Sequence, residues 1–488
     1  MIRDIKQAIE TYQPGRRGHL PRVIGVSALA ALGCVGTAHA TIKTDIGVDY
    51  RATGFYVQSD SFNQVSNDDQ TDRDDNDNGF AHYLRLKADL KHEETGVELH
   101  TRVELAGDRW RGDGRDYTTT GQRAFNTDNN GDNVRLDLGF VQIPFKFGLL
   151  RVGRQESNWN NCFLVCDDRR DRVLFLTKIG NISAYIGYDR REDPNAFYNE
   201  DNGDQIFPGF VAPLWETGWS LGFLYVHYLN SYKGDLISPG TPGLNTPGQP
   251  IDANGDGVDD SFQRSAYLLS NANIYSPYMQ GKIGPLDVSF GGNWLEGGNV
   301  NANQTPEGGD FFSDDAYSGY FRIGADVGMF ELKAQYVATR DGGLISTGFD
   351  TYSSLINSSP ESTANPTSLY QMGRFLGREG FDESLYIGSV AMNVTEKFAI
   401  RGALGFLDIE VPSTSAVNGE TSDTSTVYDL QASYQLNEAV RTWATLGMIK
   451  ENDVGQLRGN SLVGTTPNDG SFADDRVIAG SVNLGVQF

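Results

Sequence analysis

The chain has 488 residues, with 40 basic and 64 acidic side chains, so its formal net charge is −24. Hydrophobic residues make up 39%, which is too apolar for wholesale disorder, and the acidity argues against nucleic acid as a partner. No run of about 18 apolar residues occurs, which excludes a transmembrane helix.

Residues 1–40 are predicted to be a cleaved secretory signal peptide. Five basic residues precede the 13-residue apolar run Val23–Val35, and Ala38-His39-Ala40 fits an A-x-A cleavage site. Removing this segment leaves a mature chain, residues 41–488, with a net charge of −27. The mature chain is expected to form one domain.

Strict alternation of apolar and polar residues dominates the mature chain. Leu84–Lys91, Val97–Leu105 and Phe330–Tyr336 each place apolar side chains on one face and polar or charged ones on the other. Strands of soluble sandwiches usually run about 5–6 residues, whereas these segments are long enough to cross a bilayer as tilted strands. The pattern therefore predicts membrane-spanning β-strands.

Very short turns alternate with long polar loops along the chain, which is the asymmetry of an outer-membrane barrel with short periplasmic turns and long extracellular loops. The count gives 18 antiparallel strands, with 16 as the alternative, because 206–214 contains two prolines and is the weakest assignment. The predicted strands are 44–58, 80–92, 95–106, 133–145, 147–155, 172–178, 181–190, 206–214, 218–230, 264–283, 285–297, 315–327, 330–340, 383–394, 397–411, 424–436, 439–450 and 474–488.

The strands are expected to close into an all-β transmembrane barrel, because unpaired strand edges cannot persist in hydrocarbon. A barrel of about 18 strands is too wide for side chains to fill, so it encloses water unless loops plug it. At the C-terminus, Val482, Leu484, Val486 and Phe488 alternate up to a terminal aromatic residue. This segment resembles the terminal-strand signature of bacterial outer-membrane barrels, which implies the barrel assembly machinery as a partner.

Charged residues on the polar phase of the early strands are the candidate pore lining. Two interpretations stay open: a field of opposite charges across the lumen that selects solutes, and cross-strand ion pairs that hold the wall. The candidates are Arg85, Lys87, Arg102, Glu104, Arg135, Asp137, Arg151 and Arg154.

The third long loop, about 156–171, carries a dense charge cluster beside the only cysteines of the mature chain. An exported protein folds in an oxidising compartment, so Cys162 and Cys166 are predicted to form a disulfide. Two interpretations of this loop stay open: a stiff, charged constriction of the channel, and an ordinary exposed loop tip. The candidate constriction residues are Trp159, Asp167, Asp168, Arg169 and Arg170.

Acidic residues concentrate in the loops, and one loop has the spacing of a calcium site. Asp252, Asn254, Asp256 and Asp260 place oxygen ligands at alternate positions around Gly257, similar to thrombospondin type 3 and dockerin loops. Gln263 stands where an EF-hand would have its bidentate glutamate. Bound structural Ca²⁺ and an ordinary solvated loop are the two interpretations.

Gly139–Pro144 and Leu149–Gln155, with the segment L-x-V-G-R-Q, resemble the porin superfamily of Gram-negative bacteria, and in particular 18-stranded barrels of the alginate-export type. The resemblance implies an outer-membrane location, Arg151 and Arg154 near the constriction, and a third loop folded into the channel.

The expected function is passive diffusion of small hydrophilic solutes, with outer-membrane lipid and lipopolysaccharide as neighbours and without enzymatic activity. Polysaccharide export and a structural or adhesive barrel are the alternatives. The sequence leaves monomer and homotrimer open.

Overall fold

A computed structural model of the chain describes 14 ranges of residues, and within them no helix is long and apolar enough to cross a bilayer. The described ranges are 42–58, 76–109, 134–192, 203–214, 218–229, 250–251, 261–262, 272–296, 315–346, 348–357, 376–377, 381–410, 422–450 and 476–488. The predicted signal peptide and the predicted calcium ligands Asp252, Asn254, Asp256 and Asp260 lie outside these ranges.

Eighteen of the strands in the described residues form a single antiparallel sheet. The strands are β1 Ile42–Gln58, β2 Asn76–His92, β3 Glu98–Arg109, β4 Arg135–Phe145, β5 Gly148–Trp159, β6 Val165–Ile179, β7 Ile182–Glu192, β8 Gly203–Leu214, β9 Trp219–Tyr228, β10 Pro250–Ile251, β11 Ser261–Phe262, β12 Asn273–Ile283, β13 Leu286–Glu296, β14 Ala316–Val327, β15 Phe330–Arg340, β16 Asp382–Asn393, β17 Phe398–Glu410, β18 Ser422–Asn437, β19 Val440–Lys450 and β20 Arg476–Gln487. Among the described strands, the two-residue strands β10 and β11 pair with each other alone.

The sheet closes on itself between its first and last strands. β1 pairs with β20 from Asp49↔Gln487 to Gln58↔Ile478, and every other strand of the sheet pairs with its neighbours in chain order. The terminal aromatic residue takes part, because the Val48 N–H donates a 2.7 Å hydrogen bond to the Phe488 carbonyl oxygen. The predicted 18-stranded barrel is therefore confirmed, and the 16-stranded alternative is wrong.

Side chains alternate between an apolar outer face and an inner face that is polar on the β2–β5 side. One row across this wall is apolar and solvent-accessible on the outside, and the adjacent row is polar and points inward. The outer row is Leu90, Leu99, Val141, Val152 and Val173. The inner row is Lys91, Glu98, Gln142 and Arg151.

The strand predicted with least support is present as β8, and its prolines explain an irregularity. Pairing between β8 and β9 passes from Ile206↔His227 to Gly209↔Leu224 without pairs at Phe207 and Pro208. Proline has no N–H for the ladder, so the pairing is interrupted where Pro208 lies. Alternation continues on both sides of the gap, and the strand stays in the wall.

The β5–β6 hairpin leaves the wall halfway along its length. Pairing of β5 with β4 ends at Gly139↔Arg154, and pairing of β6 with β7 ends at Asp171↔Arg190. Beyond these points, residues 155–170 form strand ladders with each other and with no other strand that the structure describes. Gly153 allows the departure, since its φ is +125° and a Cβ there would lie 2.3 Å from the Gly139 carbonyl oxygen. We call residues 155–170 the lumen hairpin.

One predicted boundary needs correction. The segment predicted as a loop, 156–171, is mostly strand: β5 continues to Trp159 and β6 begins at Val165. The two arms pair across the charged residues and so extend the hairpin beyond the wall. Residues 264–271 of the strand predicted at 264–283 lie outside the described residues, and the rest of that strand is β12.

Candidate functional site in the barrel lumen

The lumen hairpin crosses the barrel interior and rests on the far wall. Trp159 Nε1 donates a 3.0 Å hydrogen bond to the carbonyl oxygen of Ser276 on β12, which is the fifth strand from β5 around the barrel. The Tyr320 hydroxyl on β14 donates to Asn160 Oδ1 over 3.0 Å, and Asn161 Nδ2 donates to the same hydroxyl over 2.8 Å. Hydrogen bonds to β12 and β14 therefore hold the tip against the wall opposite β5.

The tip of the lumen hairpin is a tight turn closed by the Cys162–Cys166 disulfide, so the predicted cystine is confirmed. Asn160, Asn161 and Cys162 all have φ between +54° and +67°, in the left-handed region that asparagine tolerates better than most residues. This turn shape directs both asparagine amides at the far wall.

A second segment also folds into the barrel. The connection after β15 lies against the inner faces of β13–β19, and Phe349, Leu355 and Ile356 on it are fully buried. We call its described residues, 341–346 and 348–357, the lumen loop. Their apolar side chains pack on inward-facing aliphatic residues, among them Leu385, Ile387, Leu407, Ile409, Val427 and Ile449.

Charged side chains of the wall hold the lumen loop through its backbone. Arg322 donates to the Asp350 carbonyl oxygen, and its guanidinium carbon lies 4.2 Å from the centroid of the Phe349 ring. Asp429 accepts hydrogen bonds from Ser353 Oγ over 2.6 Å and from the Ser354 N–H over 2.9 Å.

Arg401 completes the attachment by donating to the Tyr352 carbonyl oxygen. The Tyr352 phenol is buried in this packing, and its burial raises the pKa above its ordinary value. The anchors lie on three strands, β14, β17 and β18, so the loop covers a broad part of the inner wall.

Three arginines and four carboxylates meet where the lumen hairpin passes the β2–β4 wall. We call this group the arginine–carboxylate cluster: Arg85, Arg102, Arg169, Glu104, Asp137, Glu156 and Asp167. Asp137 is at its centre and contacts the guanidinium groups of Arg102 and Arg169. Arg102 also lies 3.0 Å from Glu156.

The cluster connects the wall to the hairpin. Arg85, Arg102, Glu104 and Asp137 belong to the wall, whereas the remaining three belong to the lumen hairpin. Every arginine of the cluster contacts at least one carboxylate within 3 Å, so its positive charges are neutralised locally. Six of its seven members are residues singled out from the sequence; Glu156 is the addition.

Below the cluster, toward the short-turn end, the inner wall remains accessible to solvent. Lys87 points inward and pairs with Asp89 over 2.8 Å, yet 58% of its side chain is exposed. Lys91 pairs with Glu98 over 2.5 Å and is 40% exposed. Arg151 donates to Gln142 over 2.8 Å. The charged side chains on this part of the wall therefore form ion pairs and also remain accessible to solvent.

The prediction that Arg154 lines the pore is wrong. It follows Arg151 by three residues, and strand alternation places the two on opposite faces. Arg154 lies two residues after Val152 and its partner Asp171 lies two residues before Val173, so each shares the face of that valine. Both valines belong to the apolar outer row. Arg154 Nη1 lies 3.6 Å from Asp171 on this outer face. The backbone of Arg135 is in β4, and its side chain is outside the described part.

The remaining candidates of the third loop lie on a different side of the hairpin from the cluster. Asp168 and Arg170 form a 2.8 Å ion pair, and both line a cavity of about 460 Å³ between the hairpin and the β6–β12 wall. Trp159 lines the same cavity and is buried.

Sequence reasoning missed the lumen loop and its anchors, including Arg322, Arg401 and Asp429. One signal of the lumen loop is present in the amino-acid sequence. Strands β16 and β17 carry apolar residues on both phases near their loop ends, as in Leu385-Tyr386-Ile387. Such runs are typical of strands covered on both faces, which indicates packing inside the lumen.

Solved structures of Pseudomonas aeruginosa proteins share this architecture. OccK2 (OpdF) has 10% identity and a TM-score of 0.52, covering 91% of this chain and 98% of that chain. OccK1 (OpdK) has 10% identity and a TM-score of 0.50, covering 91% and 99%. OpdK with vanillate has 9% identity and a TM-score of 0.50, with the same coverage. At these sequence identities, the structural likeness shows that the fold is shared. No family model and no curated protein sequence matches the chain.

Proposed function

We propose that the protein is an outer-membrane channel of a Gram-negative bacterium that conducts small hydrophilic solutes and ions by passive diffusion. The observation that carries the proposal is Lys87, which points into the lumen and is 58% exposed. An inward side chain keeps that exposure only where water lies beside the wall. A closed wall with an apolar outer row and a wet, charged inner row is what a water-filled pore requires.

The passage is proposed to run along the inner faces of β2–β5, because the lumen hairpin and the lumen loop occupy the opposite side. Phe55 and Val57 of β1 are buried in the apolar cluster that the lumen loop joins. The narrowest part of the passage is proposed to lie at the arginine–carboxylate cluster, where Asp167 and Arg169 of the hairpin face Arg102 of the wall. Lys87 and Arg151 then line the wider part below. Trp159, Asp168 and Arg170 support the constriction from its far side.

The cluster favours weak selectivity for cations. It has one more carboxylate than arginine, and each arginine is already paired. Paired charges have short-ranged fields, so the constriction discriminates weakly between ions. The acidic residues of the long loops, such as the seven Asp between Asp60 and Asp77, raise the local cation concentration further.

A planar-bilayer recording of the purified, refolded protein tests the channel. Stepwise conductance with a reversal potential displaced slightly toward the cation potential in a salt gradient is the expected result. A protein that is correctly folded, judged by its β-sheet circular dichroism, and shows no conductance in any preparation contradicts the proposal.

The alternatives for function have less support. An 18-stranded exporter of a polysaccharide needs a lumen wide enough for a polymer, and the lumen hairpin spans it with hydrogen bonds at its tip. An adhesive barrel with a sealed interior does not account for the exposure of Lys87 and Lys91. We therefore retain the diffusion channel.

Two expected partners follow from the barrel. Lipid and lipopolysaccharide contact the apolar outer face, and the assembly machinery is proposed to read the terminal strand, whose last residue pairs with β1. Whether the channel is a monomer or a homotrimer is settled by its mass in detergent.

Calcium is proposed to bind the acidic loop 252–260. The support is the spacing of its oxygen ligands, together with the pairing of Ile251 with Ser261 at the two ends of the segment. Closing the ends of a short acidic segment brings its carboxylates together, and a divalent cation would relieve their repulsion.

A further inference from the structure

Two basic side chains lie directly opposite each other on the outer face of the barrel. Lys450 on β19 pairs with Arg476 on β20 in the strand ladder. Both side chains are exposed, and neither forms an ion pair or a side-chain hydrogen bond with another residue that the structure describes. Like charges that face each other across a strand pair are destabilising. The pair is therefore complementary to an anion.

This cation pair marks the extracellular boundary of the apolar outer face. The outward side chains between the pair and the short-turn end are uncharged: Met448, Leu446, Ala444, Thr442 and Val440 on β19, and Ile478, Gly480, Val482, Leu484 and Val486 on β20. β19 has 11 residues, which at about 3.4 Å per residue and a tilt of about 40° rise about 26 Å. The apolar band of outer-membrane barrels is about 25 Å tall, so the two cations lie at the level of the lipid head groups.

The surface below the pair is apolar and accessible. Leu446 is 57% exposed, and Val482 is 66% exposed. Gly480 lies between Leu446 and Tyr56 in its row of the sheet and carries no side chain, so it leaves a notch between them. Cations above and an apolar notch below fit an amphiphile that has an anionic head group and acyl chains.

Two other arginines on the outer face lack a second cation beside them. Arg154 Nη1 lies 3.6 Å from the carboxylate of Asp171. Arg340 is exposed, and it faces Tyr317 across the strand ladder. A phosphate group therefore meets two adjacent cations at Lys450 and its partner, whereas it meets one cation at either of these arginines.

We propose that Lys450 and Arg476 bind one phosphate group of a lipopolysaccharide molecule, whose acyl chains lie along the notch at Gly480. The phosphate oxygens accept hydrogen bonds from both cations, so binding replaces the repulsion between them with charge-assisted contacts. The inference deepens the proposed function, on which it rests for the outer membrane in which the barrel lies.

Native mass spectrometry of the full-length protein, released from detergent micelles, tests the site with three probes. Lipid A with both phosphates is the ligand, lipid A without phosphates keeps the acyl chains, and inorganic phosphate keeps the anion. We expect the barrel to retain the phosphorylated lipid A and to bind the dephosphorylated form at least about tenfold more weakly. An equal concentration of inorganic phosphate should not displace lipid A, because it makes no contact with the apolar notch.

A pair of double variants identifies the site. Each basic side chain at an anionic membrane surface contributes about fivefold to the affinity, so Lys450→Gln/Arg476→Gln should bind lipid A at least about tenfold more weakly. Arg154→Gln/Arg340→Gln is the matched control, because it removes the same charge from β5 and β15, which are not neighbours in the sheet. Its affinity for lipid A should be close to that of the wild type. Folding of both variants is judged by their β-sheet circular dichroism.

Four results would overturn the proposal: no retention of lipid A by folded wild-type protein, equal binding of its two forms, displacement of lipid A by inorganic phosphate, or equal losses of affinity in the two double variants. Asp474 and Asp475 precede Arg476 in the sequence and lie outside the described residues. Retention that begins only in Asp474→Asn/Asp475→Asn would also overturn it, since these carboxylates would then already neutralise the pair.

Lipid binding is measured without current flow, which separates the site from the channel. A protein that retains lipid A and does not conduct would contradict the channel alone. A protein that conducts and does not retain lipid A would contradict the site alone.

Discussion

The Ser346 N–H donates a 2.9 Å hydrogen bond to the Phe163 carbonyl oxygen, which joins the lumen loop to the tip of the lumen hairpin. The rings of Phe163 and Phe349 pack edge to face beside it, with centroids 4.8 Å apart. Gly348 lies so close to the cystine that a Cβ there would be 2.8 Å from Cys166 Sγ. The two inward segments therefore form one barrier, with the disulfide at their junction.

Breaking the disulfide should loosen this barrier without unfolding the barrel. Closing a loop of about five residues restricts few conformations of the unfolded chain and contributes about 2 kcal/mol, which is small for a barrel of this size. We expect dithiothreitol to increase the open-channel current noise of the wild type while the thermal unfolding temperature of the barrel falls by only a few degrees.

The Cys162→Ser/Cys166→Ser double variant provides the control. It should show the noise of the reduced wild type from the start and should not respond to dithiothreitol. Equal noise in oxidised and reduced wild type would mean that the tip is held by Asn160 and Trp159 without help from the cystine.

Asp429→Asn should weaken the attachment of the lumen loop. The carboxylate of Asp429 accepts hydrogen bonds from Ser353 and Ser354, and hydrogen bonds to a charged group contribute about 1.5–3 kcal/mol each. A less firmly attached loop leaves more of the lumen open part of the time, so single-channel conductance should rise and fluctuate.

Asp408→Asn is the matched control for that variant. Asp408 lies on β17 with its side chain exposed, and it accepts a 2.7 Å hydrogen bond from Thr424 across the strand pair. It does not touch the lumen loop in the described residues. The conductance of this variant should match that of the wild type. A rise as large as that of Asp429→Asn would mean that conductance does not depend on how firmly the lumen loop is attached.

Arg102→Gln should increase the preference of the channel for cations. The substitution leaves two arginines against four carboxylates in the arginine–carboxylate cluster, and Glu156 loses its 3.0 Å partner. We expect the cation-to-anion permeability ratio, obtained from the reversal potential in a salt gradient, to rise at least about twofold.

Arg154→Gln removes the same charge from the outer face of the barrel. Because Arg154 lies with Val152 and Val173 on that face, its removal should leave the reversal potential unchanged. A shift equal to that of Arg102→Gln would place Arg154 in the lumen after all and would contradict the strand phase derived from the register.

The strand count and the closure could be predicted from the sequence. Local alternation marks each strand, and a closed barrel with both termini on the same side needs an even number of strands. Alternation also predicted the correct face for Lys87 and Arg102. Arg154 was predicted to lie on the same face as Arg151, although a three-residue spacing along a strand puts the two side chains on opposite faces. Backbone geometry fixes which face of the sheet each side chain of a strand occupies, and it places Arg154 on the outer face.

The interior barrier could not be predicted because its contacts join residues far apart in the chain. Asn160 meets Tyr320, and Ser354 meets Asp429, and neither pair leaves a periodic pattern. The lumen loop is polar and irregular, so its sequence resembles that of an exposed loop. Only the inward-facing aliphatic residues of the distant strands β16–β19 indicate that something packs on them.

Calcium should protect the connection between β9 and β12 from proteolysis. If the loop 252–260 binds Ca²⁺, the ion brings its carboxylates together and stabilises the short β10–β11 ladder that closes it. We expect limited digestion of the folded protein in this connection to slow when Ca²⁺ replaces EDTA. Asp252→Asn/Asp256→Asn should abolish the protection, whereas Asp474→Asn/Asp475→Asn, which removes the same charge from the connection between β19 and β20, should keep it. Equal digestion with Ca²⁺ and with EDTA would leave the acidic loop without a metal.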